Sequence, residues 1–198
     1  YLIIPAEPVH QKPVLLDERL IATPAVAVLR AQEIAVRMAQ TANTAMIQAI
    51  GLTRNFEETG LAQVRALENE TDEYQDALGS YLVKLTGKEL SVADGRTMNT
   101  LLYTISDIER IADHAVSIAK AGQEMHQKNI SFSQAALNEL AVLEKAVQDV
   151  SHNTVVAFGT WDLSLAARVE PLEQVVDALV KEVKSRHVRR LRDGQCTV

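Results

Sequence analysis

Four of the chain's five prolines, Pro5, Pro8, Pro13 and Pro24, fall within its first 24 residues, and only Pro171 follows. Proline lacks an amide hydrogen and its ring clashes with the preceding helical turn. The long stretch between Pro24 and Pro171 is therefore free to be helical, and residues 1–23 read as an extended N-terminal arm. The arm gives way at Thr23-Pro24, where threonine can cap a helix and proline can take its first position without losing a hydrogen bond.

Apolar periodicity fills the proline-free region with helices. From Val26 through Leu29, Ile34, Met38, Ala42, Met46 and Ile50 the spacing predicts a first helix, running to about Phe56. A second is expected over about 58–85, with Leu61, Val64, Leu67, Tyr74, Leu78 and Leu82 in phase and a stop at Thr86-Gly87. The third, over 92–125, carries Leu101, Ile105, Ile108, Ala112, Ala115 and Ala119 in alternating steps of four and three, the seam of an antiparallel bundle. Gly122 and the polar run Gln127-Lys128-Asn129 read as a linker between halves, and Ser131 with Gln134 as a capping box that opens helix four. Helix four should end near Gly159, and helix five should run from about Asp162 to Arg192 with an irregularity near Pro171 and a stop at Asp193-Gly194. Helices of about 30 residues reach about 45 Å, so the expected shape is elongated and all-α.

Charge and cysteine usage narrow the function classes. Twenty basic against 26 acidic residues leave a net charge of −6, the wrong sign for a nucleic-acid binder held by counterion release, and aromatic residues at 4% offer few stacking platforms. Cys196 has no partner in the chain, which permits a reducing compartment. No run of 18 apolar residues and no basic-then-apolar leader is present. A chain opening on Tyr1 reads as an excised or processed piece.

The halves carry a faint repeat: Leu67-Glu68-x-x-x-Asp72 returns 105 positions later as Leu172-Glu173-x-x-x-Asp177. With Glu109 and Asp113 these make three acidic pairs at i, i+4, each able to aim two carboxylates from one helical face. Spacing alone is weak, since 26 acids in 198 residues give about three such pairs by chance, and solvated helix faces are the bland alternative. Context adds weight: Glu109 and Asp113 each follow a seam residue, Ile108 and Ala112, so they border the packed stripe. Like charges there need a positive offset, for which Arg110 is the nearest candidate. Pairs from helices two and three meeting across the bundle would form an oxygen-rich ligand set suited to a hard cation.

The segment Leu101-Leu102-Tyr103-Thr104-Ile105-Ser106-Asp107-Ile108-Glu109-Arg110-Ile111-Ala112-Asp113-His114-Ala115 resembles the signature helix of the PhoU family of phosphate-uptake regulators. Residues 173–194 are similar to the opening of that family's second repeat. Pro13-Val14-Leu15-Leu16-Asp17 and Ala22-Thr23-Pro24-Ala25-Val26-Ala27 look like the junction after the membrane part of bacterial sodium/phosphate cotransporters that carry a PhoU-like domain. The resemblance implies antiparallel PhoU-like three-helix bundles, the first over 24–127 and a second, incomplete one over 128–198. It implies a non-enzymatic regulatory domain on the cytoplasmic side of the inner membrane, partnered by the transporter's own membrane part or by a separate ABC phosphate uptake system. It further implies metal ions, iron or zinc in the family, held by Glu68, Asp72, Glu109, Asp113, Glu173 and Asp177; magnesium and manganese also suit such donors. In the first half a third helix follows the glycine turn, and the matching helix of the second half is expected to begin where the given sequence stops at Val198.

The remaining features take plainer readings. His114 reads as a helix-surface or packing residue, and Cys196 as an incidental thiol without a placed base. Asp149-x-x-His152 stands alone where a ferritin-like di-iron centre needs paired Glu-x-x-His motifs. The basic run Lys184, Arg186, His187, Arg189, Arg190 and Arg192 reads first as an offset to a helix dipole, with an anionic membrane surface as the alternative. A metal-dependent phosphohydrolase using clustered carboxylates is the competing enzyme class. An incomplete second bundle also predicts self-association.

Overall fold

The computed structural model describes residues 16–196, so most of the proline-rich arm and the proposed junction at Pro13 lie outside the described residues. The described part of the arm is not extended. Asp17 caps a short 3-10 turn, Glu18–Ala22, by accepting from the Arg19 amide, and Tyr81 donates from its hydroxyl to the Asp17 carbonyl at 3.3 Å.

Three long helices follow: α1 (Pro24–Leu52), α2 (Glu58–Leu85) and α3 (Val92–Gln127). Helix α1 opens with Pro24 in its first turn as expected, but the Thr23 hydroxyl makes no capping bond, and the helix ends at Leu52, short of Phe56. The observed bounds of α2 are those predicted. Helix α3 is capped by the Ser91 hydroxyl, which accepts from the Asp94 amide at 3.1 Å, and it ends with Asn129 at φ 52 and the Ile130 amide donating to the Met125 carbonyl. A left-handed asparagine in that position closes a helix much as glycine does.

The first bundle packs these three against one another. On α1 the buried positions Ala27, Ala31, Ala35, Ala39, Ala42, Ala45 and Ala49 form a ridge of small side chains, which lets both neighbours approach closely. Facing it are Leu78, Leu82 and Leu85 of α2 and Leu101, Ile105 and Ile108 of α3. The predicted α3 seam is buried along its whole length, from Leu101 to Ala119. Each fully buried leucine or isoleucine contributes about 1.5–3 kcal/mol of apolar burial. Gly122, read from the sequence as linker, is instead buried inside α3, where the helix meets the C-terminal end of α1.

The second half is thinner. Helix α4 (Gln134–Thr160) is followed by the single turn α5 (Leu163–Ala166) and then α6 (Val169–Arg192). Ser133 rather than Ser131 caps α4, accepting from the Ala136 amide at 3.3 Å. The expected single helix five is broken at Ala167 and Arg168, so Pro171 lands in the first turn of α6, where it removes no hydrogen bond. Asp162 caps α5 through bonds from the Ser164 and Leu165 amides. Gly194, at φ 68, ends α6, with the Gly194 amide on the Leu191 carbonyl and the Gln195 amide on the Arg190 carbonyl. Helix α4 leans on α1 through the Ser151–Asn43 contact and on the turn after α1 through Arg54–Glu144, and α6 packs on α4. Among the described residues there is no strand and no helix long and apolar enough to cross a membrane.

Candidate functional site

The same local rule places an acid beside the packed stripe on both α2 and α3. On α3, Glu109 and Asp113 come one position after the buried Ile108 and Ala112; on α2, Glu68 and Asp72 come one position after the half-buried Leu67 and the buried Thr71. A rotation of about 100° from the core-facing direction brings a side chain to the bundle's shoulder. Glu68, Asp72 and Glu109 are accordingly half-buried, and Asp113 is exposed. Thr71, the buried polar residue at this level, is satisfied by donating to the Leu67 carbonyl at 2.8 Å.

The register between the two antiparallel helices brings the pairs together. Gln75 donates to Ser106 at 3.4 Å on one side of the patch, and Gln123 donates to Glu58 at 3.2 Å on the other. Between these rungs the antiparallel register sets Glu68 opposite Asp113 and Asp72 opposite Glu109. The electrostatics follow this arrangement. Glu68 is pushed above the usual carboxylate range by desolvation first, then by Asp72 and Asp113, with Lys120 acting in the opposite direction. Asp72 is raised by desolvation, then by Asp113 and Asp76. Glu109 is raised by desolvation and then by Asp113, Asp72 and Glu68, and in its protonated form it is hydrogen-bonded to Asp113. Glu68, Asp72 and Glu109 thus feel one another and Asp113 across two helices, and these three hold protons more readily than free acids do.

The expected positive offset is different. Arg110 turns to Asp107, at 3.8 Å, and leaves the patch to Lys120. A signal for this exists in the sequence: Lys120 stands two turns beyond Asp113 on the same helical face, whereas Arg110 is rotated away from Glu109. Glu173 and Asp177 are exposed on α6, and neither belongs to the interactions of the α2–α3 patch. As placed, no three His, Cys, Asp or Glu side chains among the described residues form a coordination shell. The patch is an open array of hard oxygen donors under mutual repulsion.

His114 is exposed on α3, and His126, near the end of the same helix, lies against Phe56 with ring centroids 5.2 Å apart. Much of the basic run serves the α4–α6 hairpin: Arg190 donates to Glu139 at 2.6 Å, and Arg186 donates to Glu182 at 2.7 Å and approaches Glu139 at 3.9 Å. Cys196 lies 3.9 Å from the His187 ring nitrogen.

Comparison with known proteins locates the patch within a recognised unit. Residues 35–122 match the PhoU domain family model, a span that contains Glu68, Asp72, Glu109 and Asp113 and excludes Glu173 and Asp177. A phosphate-specific transport system accessory protein PhoU homolog of Deinococcus radiodurans is 25% identical over 125 residues, 63% of this chain and 57% of that protein. The phosphate-specific transport system accessory protein PhoU homolog 1 of Thermotoga maritima is 29% identical over 99 residues, 50% of this chain and 42% of that protein. The chain spans about half the length of these curated relatives. No solved structure matches it.

Proposed function

From the match of residues 35–122 to the PhoU domain family model, we propose that the chain regulates phosphate transport from the cytoplasmic side of the membrane, as the regulatory domain of a sodium/phosphate cotransporter. The observation that carries a regulatory reading is the coincidence of the family match with the α1–α3 bundle and its four facing carboxylates. The patch offers charge and hard donors but no nucleophile beside a base, which suits binding rather than turnover. The cotransporter assignment adds the junction-like segments around Pro13 and Thr23-Pro24. A second reading, an accessory protein of a separate phosphate uptake system, is favoured by the similarity to two phosphate-specific transport system accessory proteins.

In this proposal Glu68, Asp72, Glu109 and Asp113 hold a cation, iron or zinc, with magnesium or manganese also suited to carboxylate oxygens. When bound, the cation supplies positive charge that cancels the repulsion between α2 and α3. Glu68 and Asp72 position it from α2, Glu109 and Asp113 from α3, and occupancy then sets how firmly the two helices are tied together at a surface open to a partner. Glu173 and Asp177 supply half of a second, equivalent set on α6.

Two measurements test the reading separately. Phosphate uptake by cells carrying the full-length gene product, with and without residues 24–198, should differ in rate or in its response to phosphate supply; identical flux overturns the regulatory role. Metal content of protein purified without chelator should fall in Glu109→Ala and Asp113→Ala, and equal content in wild type and variants overturns the cation site. Steady turnover of a phosphomonoester by the metal-loaded protein would favour the hydrolase class instead.

A further inference from the structure

On the shoulder of α2 away from the α3 patch, a cleft of about 560 Å³ lies between the 3-10 turn Glu18–Ala22 and the helix. Its apolar wall is made by Leu16 and by Tyr74, Ala77 and Tyr81, which follow one another at helical spacing on α2. Both tyrosines are buried and anchored: the Tyr74 hydroxyl is hydrogen-bonded to Glu70, and the Tyr81 hydroxyl donates to the Asp17 carbonyl. The wall is therefore fixed before anything enters, and the cleft falls in the size range of ordinary binding pockets.

The rim has one sign of charge. Glu18, Glu70, Glu73 and Asp76 line the cleft and are exposed, whereas the lining holds a single base, Lys84, which is tied to Glu18. The nearest bases of α1 do not line it: Arg30 is held by Glu33 at 2.7 Å, and Arg37 acts on Tyr74 from outside the cleft.

An apolar wall under an acidic rim selects a protein segment in which an apolar side chain is flanked by lysines or arginines. On the regulatory reading above, on which this step rests, the regulated partner is a membrane protein met from its cytoplasmic side. Cytoplasmic loops of membrane proteins carry an excess of those two residues, while the same rim repels anionic lipid headgroups. We propose that the cleft between the 3-10 turn and α2 docks a basic, partly apolar cytoplasmic loop of the membrane protein that the domain regulates.

Fluorescence anisotropy of a short labelled lysine–leucine peptide, titrated with the purified full chain in chelator, tests this. The assay involves neither phosphate flux nor metal, so it can fail while the regulatory reading stands, and the reverse. Saturable binding is expected, with none for the glutamate–leucine counterpart. Glu70→Lys and Asp76→Lys each exchange an attraction for a repulsion and should weaken binding about tenfold. Ser80→Trp adds bulk to the cleft and no charge, and should abolish binding. Asp107→Lys makes the same charge change on α3, at a side chain 75% exposed, and should bind as wild type does. Glu70→Lys also removes the partner of Tyr74, so Asp76→Lys is the deciding reversal should Glu70→Lys lose helical circular dichroism. Absence of binding by the wild type, equal weakening in Asp107→Lys, or undiminished binding by a folded Ser80→Trp or Asp76→Lys would each overturn the proposal. Binding that appears only after residues 1–15 are removed would overturn it too, by assigning the cleft to the chain's own N-terminal segment.

Discussion

Helix α3 meets the end of α1 at Gly122, and a single methyl group there should separate them. A Cβ at Gly122 would lie 2.6 Å from the Leu52 carbonyl oxygen, 3.0 Å from its carbonyl carbon and 3.3 Å from the Thr53 nitrogen. A carbon atom approaches a carbonyl oxygen at about 3.3–3.6 Å even in close backbone contacts, so the helices must part by about 0.7–1 Å. The atoms in the way are backbone and cannot rotate aside. Forced overpacking of this kind costs about 1–3 kcal/mol, against about 1 kcal/mol gained when alanine replaces glycine inside a helix. Gly122→Ala should therefore be destabilised by about 1 kcal/mol. Gly79, inside α2, is the internal reference, because a Cβ there meets only the Ile105 δ-methyl at an ordinary 3.9 Å. Gly79→Ala should gain close to the full propensity term, leaving the two variants about 2 kcal/mol apart. Urea unfolding followed by far-ultraviolet circular dichroism reads this directly, and in a domain of this size each kcal/mol moves Tm by about 2–4 °C. A Gly122→Ala protein as stable as Gly79→Ala would refute the argument that backbone contact at the α1–α3 crossing requires glycine.

Three further outcomes follow from the same geometry. Leu101→Ala, at a fully buried seam position, should cost about 2–5 kcal/mol. Leu140→Ala on half-exposed α4 should cost less than half as much in urea unfolding at low protein concentration, and equal costs would show that the hairpin's seam is not open. Asp113→Asn removes one of four mutually repelling carboxylates. In chelated protein it should gain about 0.5 kcal/mol while losing bound metal, so a thermal melt paired with metal analysis should move in opposite directions. The Glu139 carboxyl is held below the usual range, first by its hydrogen bond from Arg190. Its contribution is therefore present above the unfolded value of about 4.3 and is lost as pH falls through the lower folded value. Acid titration of helicity should show a transition below about pH 4 that is weakened in Glu139→Gln; superimposable curves would count against it.

The Glu139–Arg190 pair also shows where sequence reasoning stops short. The run of bases at the end of α6 reads naturally as an offset to a helix dipole, and nothing local marks Glu139, 51 positions earlier, as the partner that Arg190 meets. The pair is nearly dry, and Glu139 Oε2 and Arg190 Nε are left without hydrogen-bond partners among the described residues. Such a contact orients α6 on α4 more than it stabilises it.

Helix positions, the buried seam from Leu101 to Ala119 and the placing of each acid one residue beyond a packed position were all legible in the chain, because helical periodicity repeats every few residues and needs no knowledge of distant segments. The reading failed where a residue's meaning depends on what lies opposite. Gly122 looked like a linker until the Leu52 carbonyl stood against it, Arg110 looked like the offsetting cation until Lys120 took that place, and Glu68 and Asp113 became neighbours only through the register of α2 on α3. Period is a property of one helix and is written in its own order of residues. Register, partner and charge compensation are relations between helices, and folding alone brings those residues together.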